Sequence, residues 1–176
     1  MPSVEPLSKA IRLRELPMFA VAGLIKHAQF TDHEIDAGTS GFCAMFALAL
    51  FRVLARQNLP TTPRLVLLCL ADRGQILRDE DHSVWWKHAA ILHDGAYFDI
   101  EGRQEVEWLT WNYHLSYGSA AERECLLMET TPREFIQQLR RTPRACDRSF
   151  YLEYKRRLER AIEIMGSSSA DCCHSS

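Results

Sequence analysis

The sequence predicts a single domain of the α+β class, and three observations support that prediction. Residues 42–56 (FCAMFALALFRVLAR) are apolar on nearly every side, as expected for a helix buried at the centre of a domain. Apolar, strand-like runs follow without helical segments between them, which favours an antiparallel sheet. Segments with helical patterns stand before and after this unit, so we expect helices to flank it.

Three segments precede the central helix. Residues 5–15 and 17–30 predict helices, whereas residues 31–41 (TDHEIDAGTSG) are rich in turn and cap residues and predict a loop. Ser40, near the end of this loop, is the expected N-cap of the central helix. That assignment places Cys43 in the first helical turn.

The strands are predicted by apolar runs bounded by turn residues. Residues 64–71 (RLVLLCLA) predict a buried strand, and residues 123–130 (RECLLMET) predict the last one. Residues 84–92 and 96–101 predict a β-hairpin, because the Asp-Gly pair at 94–95 is a strong signal for a two-residue turn.

Two helices are predicted after the strands. Thr131 and Glu134 form the signature of a capping box, so a helix is expected from there to about Arg141. A final helix is expected from about Ser149 to Met165, with Gly166 ending it. The chain is therefore predicted to be one domain over residues 1–166, with a disordered Ser- and Cys-rich tail over residues 167–176.

Composition and charge exclude several classes of function. The 176 residues carry a net charge of −2, and no apolar run is long enough to span a bilayer, so we expect neither nucleic acid nor membrane as a partner. The six cysteines are irregularly spaced and no secretion signal precedes them, which favours reduced thiols in the cytoplasm, either of the producing cell or of a cell into which the protein is delivered. We expect no cofactor and no metal ion: the acidic cluster at 79–82 is interpreted as a solvated loop before the strand, and the Cys-Cys-His run at 172–174 has no second ligand pair at the spacing of a zinc site.

Cys43 is the candidate nucleophile. The unpaired N–H groups and the positive dipole end of a helix stabilise a thiolate in the first turn. The same N–H groups can hold the oxyanion that forms when the sulfur attacks a carbonyl carbon. We expect Ser40, Gly41 and Phe42, which lead into this turn, to contact the substrate.

The predicted hairpin supplies a base and a group that orients it. A two-residue turn pairs His93 with Ala96 and, further out, His88 with Glu101. His88 and Asp99 are then diagonal neighbours on one face, within side-chain reach. Asp99 is the expected orienter and Glu101 is its rival.

Trp86 stands two residues before His88 on the same strand. Alternation along a strand places both side chains on one face, so Trp86 is expected to form a wall of the substrate site. Glu101 is a further expected substrate contact.

The stretches GFCAMFALAL and KHAAILHDGAYFDIEG resemble papain-like and transglutaminase-like thiol enzymes, and in particular the small papain-fold domains of bacterial toxins and effectors. The resemblance covers about residues 38–102. It implies a papain-like fold, in which the central helix that starts at the cysteine packs on the sheet. It also assigns the nucleophile to Cys43, the base to His88 and the orienter to Asp99.

These observations predict a thiol hydrolase or acyl transferase that acts on an amide bond of a protein or peptide substrate. Peptide hydrolysis, glutamine deamidation and transglutamination share the chemistry and remain open at this point. The alternative is a catalytically inactive, papain-like interaction module that binds a protein partner, with Cys43 buried and inert.

Overall fold

The structure is a computed structural model, and it describes residues 19–57, 59–72, 85–109, 123–142 and 146–171. The longer helices are α1 (Phe19–His27), α2 (Asp32–Ser40), α3 (Cys43–Leu54), α4 (Pro132–Arg141) and α5 (Arg148–Asp171). The strands are β1 (Arg64–Asp72), β2 (Trp85–His93), β3 (Ala96–Asp99), β4 (Gly102–Gln104) and β5 (Arg123–Thr130). A short helical turn spans 106–109.

The five strands form one antiparallel sheet in the order β4-β3-β2-β1-β5. This arrangement confirms the α+β class. The strand β1 lies between β2 and β5, and its residues from Leu65 to Leu70 are all buried. A continuous apolar run is the pattern expected of a strand that is covered on both faces.

The helix α3 is the centre of the core. All but two of its residues are buried, and it packs against α5 on one side and against β2 on the other. Two arginines lie on the α5 side: Arg52 of the helix donates to the Tyr151 hydroxyl at 2.9 Å, and Arg56, just beyond the helix, pairs with Glu159 at 3.1 Å. The prediction of a buried central helix is confirmed.

The prediction of a loop over residues 31–41 is wrong, because α2 occupies Asp32–Ser40. Thr31 and Glu34 form a capping box that satisfies the first N–H groups of the helix. The Thr39 hydroxyl donates to the Ile35 carbonyl one turn earlier, so a residue typical of turns is accommodated inside the helix. The chain then bends by 104° between α2 and α3.

The β2–β3 hairpin has the predicted turn but a shorter second strand. Asp94 and Gly95 have φ values of 49° and 74°, and His93 pairs with Ala96. The strand β3 ends at Asp99, where a second tight turn leads into β4, a strand that the sequence pattern did not predict.

The sequence also predicted how the C-terminal helix ends and a helix near the N-terminus. The helix α5 runs through Gly166 to Asp171, so Gly166 does not end it and residues 167–171 are not a disordered tail. The predicted helix at 5–15 and residues 172–176 of the predicted tail lie outside the described residues.

Among the described residues, no single helix is both long and apolar enough to cross a membrane, and only the sharply bent pair α2–α3 meets that criterion when taken together.

Candidate functional site

Cys43 is the first residue of α3, as required of a thiol in the first turn. The predicted cap is wrong, however. Phe42 is the N-cap residue and makes no side-chain hydrogen bond to the helix, whereas the Ser40 hydroxyl donates to the Asp36 carbonyl inside α2. The reason is that α2 continues through Ser40, so the new helix starts only after the chain has turned at Gly41.

The start of α3 keeps unpaired backbone donors next to the thiol. Within the described part of the chain, the N–H groups of Cys43 and Ala44 donate to no backbone carbonyl, whereas the next two amides both bond to the Phe42 carbonyl. Unpaired N–H groups at a helix start favour a negative charge on the sulfur and on a nearby oxyanion.

His88 and Asp99 form a buried pair on the hairpin. Their side chains are only 4% and 6% exposed, and His88 Nε2 lies 3.1 Å from Asp99 Oδ2. The predicted contact between them is present. Because the carboxylate can only accept, Nε2 carries the proton and donates it.

Asp99 is held by two further donors on its other oxygen. The Glu101 N–H and the Gln104 Nε2 amide both donate to Asp99 Oδ1, each at 2.9 Å. A carboxylate with three hydrogen bonds has one preferred orientation, so it fixes the direction of the imidazole. Sequence reasoning missed Gln104; the signal was Gly102, whose φ of 112° allows the tight turn that brings β4 back beside β3.

Glu101 is not the orienter of His88. It lies in the turn after β3, its side chain is exposed, and it approaches the site only through its backbone N–H. The expectation that it pairs with His88 failed because β3 stops two residues earlier than predicted.

Trp86 is also placed differently from the prediction. The pairing of β1 with β2 has an irregularity between Leu68 and Cys69, so that His88 is opposite Leu68 while Trp86 is opposite Cys69. This bulge breaks the alternation on which the prediction depended. Trp86 is half-buried and packs against the hydrophobic core, where Cys69 also lies.

Cys43 and His88 interact across the junction between helix and sheet. Burial alone would lower the pKa of His88, but its hydrogen bond with Asp99 and the negative charges of Cys43 and Asp99 raise this pKa to about 10. The imidazole is therefore protonated at neutral pH when the sulfur is a thiolate. Since Nε2 bonds to Asp99, any hydrogen bond between the imidazole and the thiol must involve Nδ1.

The other described thiols are held in the neutral form. Burial raises the pKa of Cys69 to about 12 and that of Cys125 to about 11, and it also raises the pKa of the exposed Cys146. Cys69 and Cys125 lie in β1 and β5, where they act as small apolar residues.

The end of α2, which leads into α3, packs closely against the residue that follows β3. Gly38 is buried, and a Cβ atom there would lie 2.7 Å from the side chain of Ile100, the residue after Asp99. This close approach places α2 and the start of α3 against the end of β3. Gly41 has open space around it and is exposed, as is Ser40, whereas Phe42 stacks on Phe150 of α5 at 4.5 Å between ring centroids.

A second polar network lies behind the thiol. Tyr154 of α5 is fully buried, and its hydroxyl donates to the Glu34 carbonyl at 2.8 Å. Burial and the charges of Glu34 and Cys43 raise the pKa of Tyr154, so its phenol stays neutral. The Glu34 carboxylate itself accepts from Arg157 Nε at 2.7 Å, which ties α2 to α5.

No three side chains of His, Cys, Asp or Glu within the described ranges are grouped so that they could hold a metal ion. The acidic cluster at 79–82 and the run at 172–174 lie outside those ranges. What the site offers is an imidazole bonded to a carboxylate, and a thiol whose charge acts on that imidazole and which lies next to unpaired N–H groups. Comparison with protein-family models, with curated proteins and with solved structures finds no match to this chain.

Proposed function

We propose that the protein is a papain-like thiol enzyme that cleaves or exchanges an amide bond through Cys43, His88 and Asp99. One observation above all supports this proposal: a buried His88 whose Nε2 bonds to Asp99 and whose pKa is raised by both Asp99 and Cys43. A thiol at a helix start, followed by an oriented imidazole, is the arrangement of an activated sulfur nucleophile.

The proposed reaction has two stages. The Cys43 thiolate attacks the carbonyl carbon of the amide, and the N–H groups of Cys43 and Ala44 stabilise the oxyanion. The tetrahedral intermediate collapses as the C–N bond breaks, and His88 gives its proton to the leaving nitrogen. Water or an amine then attacks the thioester, His88 takes a proton from it, and the thiolate is released.

Asp99 is proposed to act on the imidazole and not on the substrate. It accepts from Nε2 and thereby leaves Nδ1 directed toward the sulfur. Its negative charge stabilises the imidazolium that exists in both stages of the reaction.

The substrate class follows from the mechanism and is a protein or peptide amide. Hydrolysis of the main chain gives a peptidase, hydrolysis of a glutamine side chain gives a deamidase, and attack by an amine gives a transglutaminase. The exposed Ser40 and Gly41, which lead into α3, are proposed to contact this substrate. The four described free thiols suit a reducing compartment, so we place the protein in the cytoplasm, its own or that of a recipient cell.

One observation favours a second function, that of an inactive interaction module. Cys43 is only 4% exposed and His88 only 3%, so a carbonyl group reaches the sulfur only if the covering groups separate. In a module without activity, Cys43 serves as a core residue and the protein binds a partner through its surface.

An assay of products separates these functions. The full chain is incubated with unfolded protein and with glutamine-containing peptides, and new amino termini, ammonia and incorporated amine are measured by mass spectrometry. We expect one of these products with the wild type and none with Cys43→Ala or His88→Ala.

The control is Cys146→Ala, which removes an exposed thiol outside the site and should keep full activity. If no product exceeds the background of Cys43→Ala on any substrate, the enzyme proposal fails and the interaction module remains.

A further inference from the structure

A basic pocket lies between the C-terminal end of α1 and the helix α5, away from the thiol site. Its walls include three arginines of α5 at positions 156, 157 and 160, together with His27, Gln29 and Ile164. The pocket is open to solvent and has a volume of about 130 Å³, which is room for a group of only a few non-hydrogen atoms.

Two of the arginines are held rigidly by neighbouring groups. Arg157 Nε donates to Glu34 at 2.7 Å, and its Nη1 donates to the Gln29 carbonyl at 2.9 Å. Arg156 forms two hydrogen bonds with Glu153, through Nε at 3.1 Å and through Nη2 at 2.6 Å. A guanidinium that is fixed in this way loses little conformational freedom when a ligand binds to its remaining N–H groups.

The third arginine has no such role in the fold. Arg160 is exposed, and within the described ranges it forms no hydrogen bond and no ion pair. Its five N–H donors therefore remain available at the pocket.

His27 supplies a fourth polar group. Its Nδ1 lies 2.8 Å from the Gly23 carbonyl, which can only accept, so Nδ1 carries the proton and Nε2 is the nitrogen left for other contacts.

The charges at the pocket do not cancel. The pocket has three guanidinium groups but only two neighbouring carboxylates, those of Glu34 and Glu153, and the arginines already contact both. The excess is positive, and it is presented as planar N–H forks. Arginine forks match the oxygens of phosphate groups better than a lysine ammonium does.

We propose that this pocket binds a phosphate group, either as the free ion or as a phosphate monoester. Arg160 is the group that contacts the ligand most directly, and Arg156 and Arg157 form a fixed wall. The site is separate from Cys43, His88 and Asp99, and it does not depend on the activity proposed for them.

The test is a titration of the full chain with inorganic phosphate, followed by calorimetry and by amide chemical shifts. A second arm uses glycerol phosphate, which separates recognition of the monoester from recognition of the free ion, and a third uses acetate at equal ionic strength. We expect saturable phosphate binding that shifts amides at the end of α1 and along residues 153–164 of α5. Arg160→Gln should weaken it by about fivefold or more, because one charge-assisted contact is lost.

The matched control is Arg148→Gln, which removes an exposed arginine at the start of the same helix, outside the pocket. Both variants are at exposed positions, where substitutions rarely affect folding. The proposal is overturned if phosphate does not saturate, if acetate binds equally well, or if Arg148→Gln weakens binding as much as Arg160→Gln does.

Discussion

Two largely buried ion pairs stabilise this protein, and they differ in what they can do. Arg157 and Glu34 join α5 to α2 at 2.7 Å, with side chains 26% and 7% exposed. His88 and Asp99 join β2 to β3 at 3.1 Å, with side chains 4% and 6% exposed. The first pair joins a carboxylate to a guanidinium and has no nucleophile that needs its proton. The second contains a group that can release a proton, and it has a thiol on its far side.

The comparison shows why burial of charge alone does not indicate a catalytic site. Both carboxylates are fully occupied by donors: Glu34 accepts from the Thr31 N–H and hydroxyl as well as from Arg157, and Asp99 accepts from three groups. Removing one partner of either pair leaves a buried charge unsatisfied, so both matter for stability. Only the His88 pair connects to a reactive atom.

The largest expected effect is a loss of folding stability, and a second measurement separates it from the reactivity of Cys43. Asp99→Asn and Glu34→Gln each keep the shape of the side chain but remove its charge, and each should lower the free energy of unfolding by about 3 kcal/mol. Only Asp99→Asn should also slow alkylation of Cys43 at pH 6.5, because only this carboxylate orients the imidazole. Urea unfolding and the rate of iodoacetamide labelling measure the two effects; equal slowing by both variants would contradict the distinction.

The dependence of stability on pH should differ between the pairs. The pKa of His88 is raised from its ordinary value of 6.5 to about 10 in the folded state. A raised pKa means that the contribution of this group is fully present below pH 6.5 and is lost as the pH rises toward 10. The difference in unfolding free energy between wild type and His88→Gln should therefore shrink over that range.

The control for this pH series is Glu34→Gln. A carboxylate and a guanidinium both stay charged between pH 6.5 and pH 10, so the effect of this substitution should remain nearly constant. A His88→Gln effect that is equally constant would show that the imidazole is not protonated in the folded protein.

A smaller effect is expected from Gln104, which touches Asp99 but not the thiol. Gln104→Leu removes the donor to Asp99 Oδ1, so Asp99 is held less firmly, the pKa of His88 should shift, and stability should drop by about 1 kcal/mol. The imidazole resonances of His88 in a pH titration by NMR report this directly. Gln57→Leu, whose amide donates only to the Val53 carbonyl at 3.3 Å, should leave those resonances unchanged.

The last comparison concerns two capping boxes of the same type, which stabilise their helices to different extents. Thr31 caps α2 through the buried Glu34, and Thr131 caps α4 through Glu134, which is not buried. Thr31→Ala should cost about 2 kcal/mol and Thr131→Ala about 1 kcal/mol, because the Thr31 hydroxyl also donates to a buried carboxylate at 2.8 Å. Thermal unfolding measures the loss of stability in both variants. Equal losses would mean that the burial of Glu34 does not strengthen the cap of α2.

The parts of the site that the sequence predicted are those fixed by local rules. A turn of Asp94 and Gly95, both with positive φ, sets the register of the hairpin, and the register brings His88 and Asp99 together. The apolar run of α3 similarly defines a buried helix whose first turn contains Cys43.

The parts that were missed depend on less visible features. No glycine or proline marks the bulge opposite Leu68 and Cys69, so the placement of Trp86 could not be derived from alternation. The capping box at Thr31 and Glu34 was a usable signal for α2, but the polar composition of that segment obscured it. The two buried histidines, His88 and His93, also cannot be told apart from the sequence. In the structure, His93 Nδ1 lies 3.1 Å from the Thr61 hydroxyl, and burial lowers the pKa of His93.

The central claim is that His88 activates Cys43, and the rate of iodoacetamide alkylation as a function of pH tests it most directly. In the wild type, the rate at Cys43 should fall less than about threefold between pH 8 and pH 6, while the rate at Cys146 should fall roughly 50-fold or more, as for an ordinary thiol. In His88→Ala, Cys43 should follow the profile of Cys146. A Cys43 that does not react at all, or that has the same profile in both proteins, would contradict the claim.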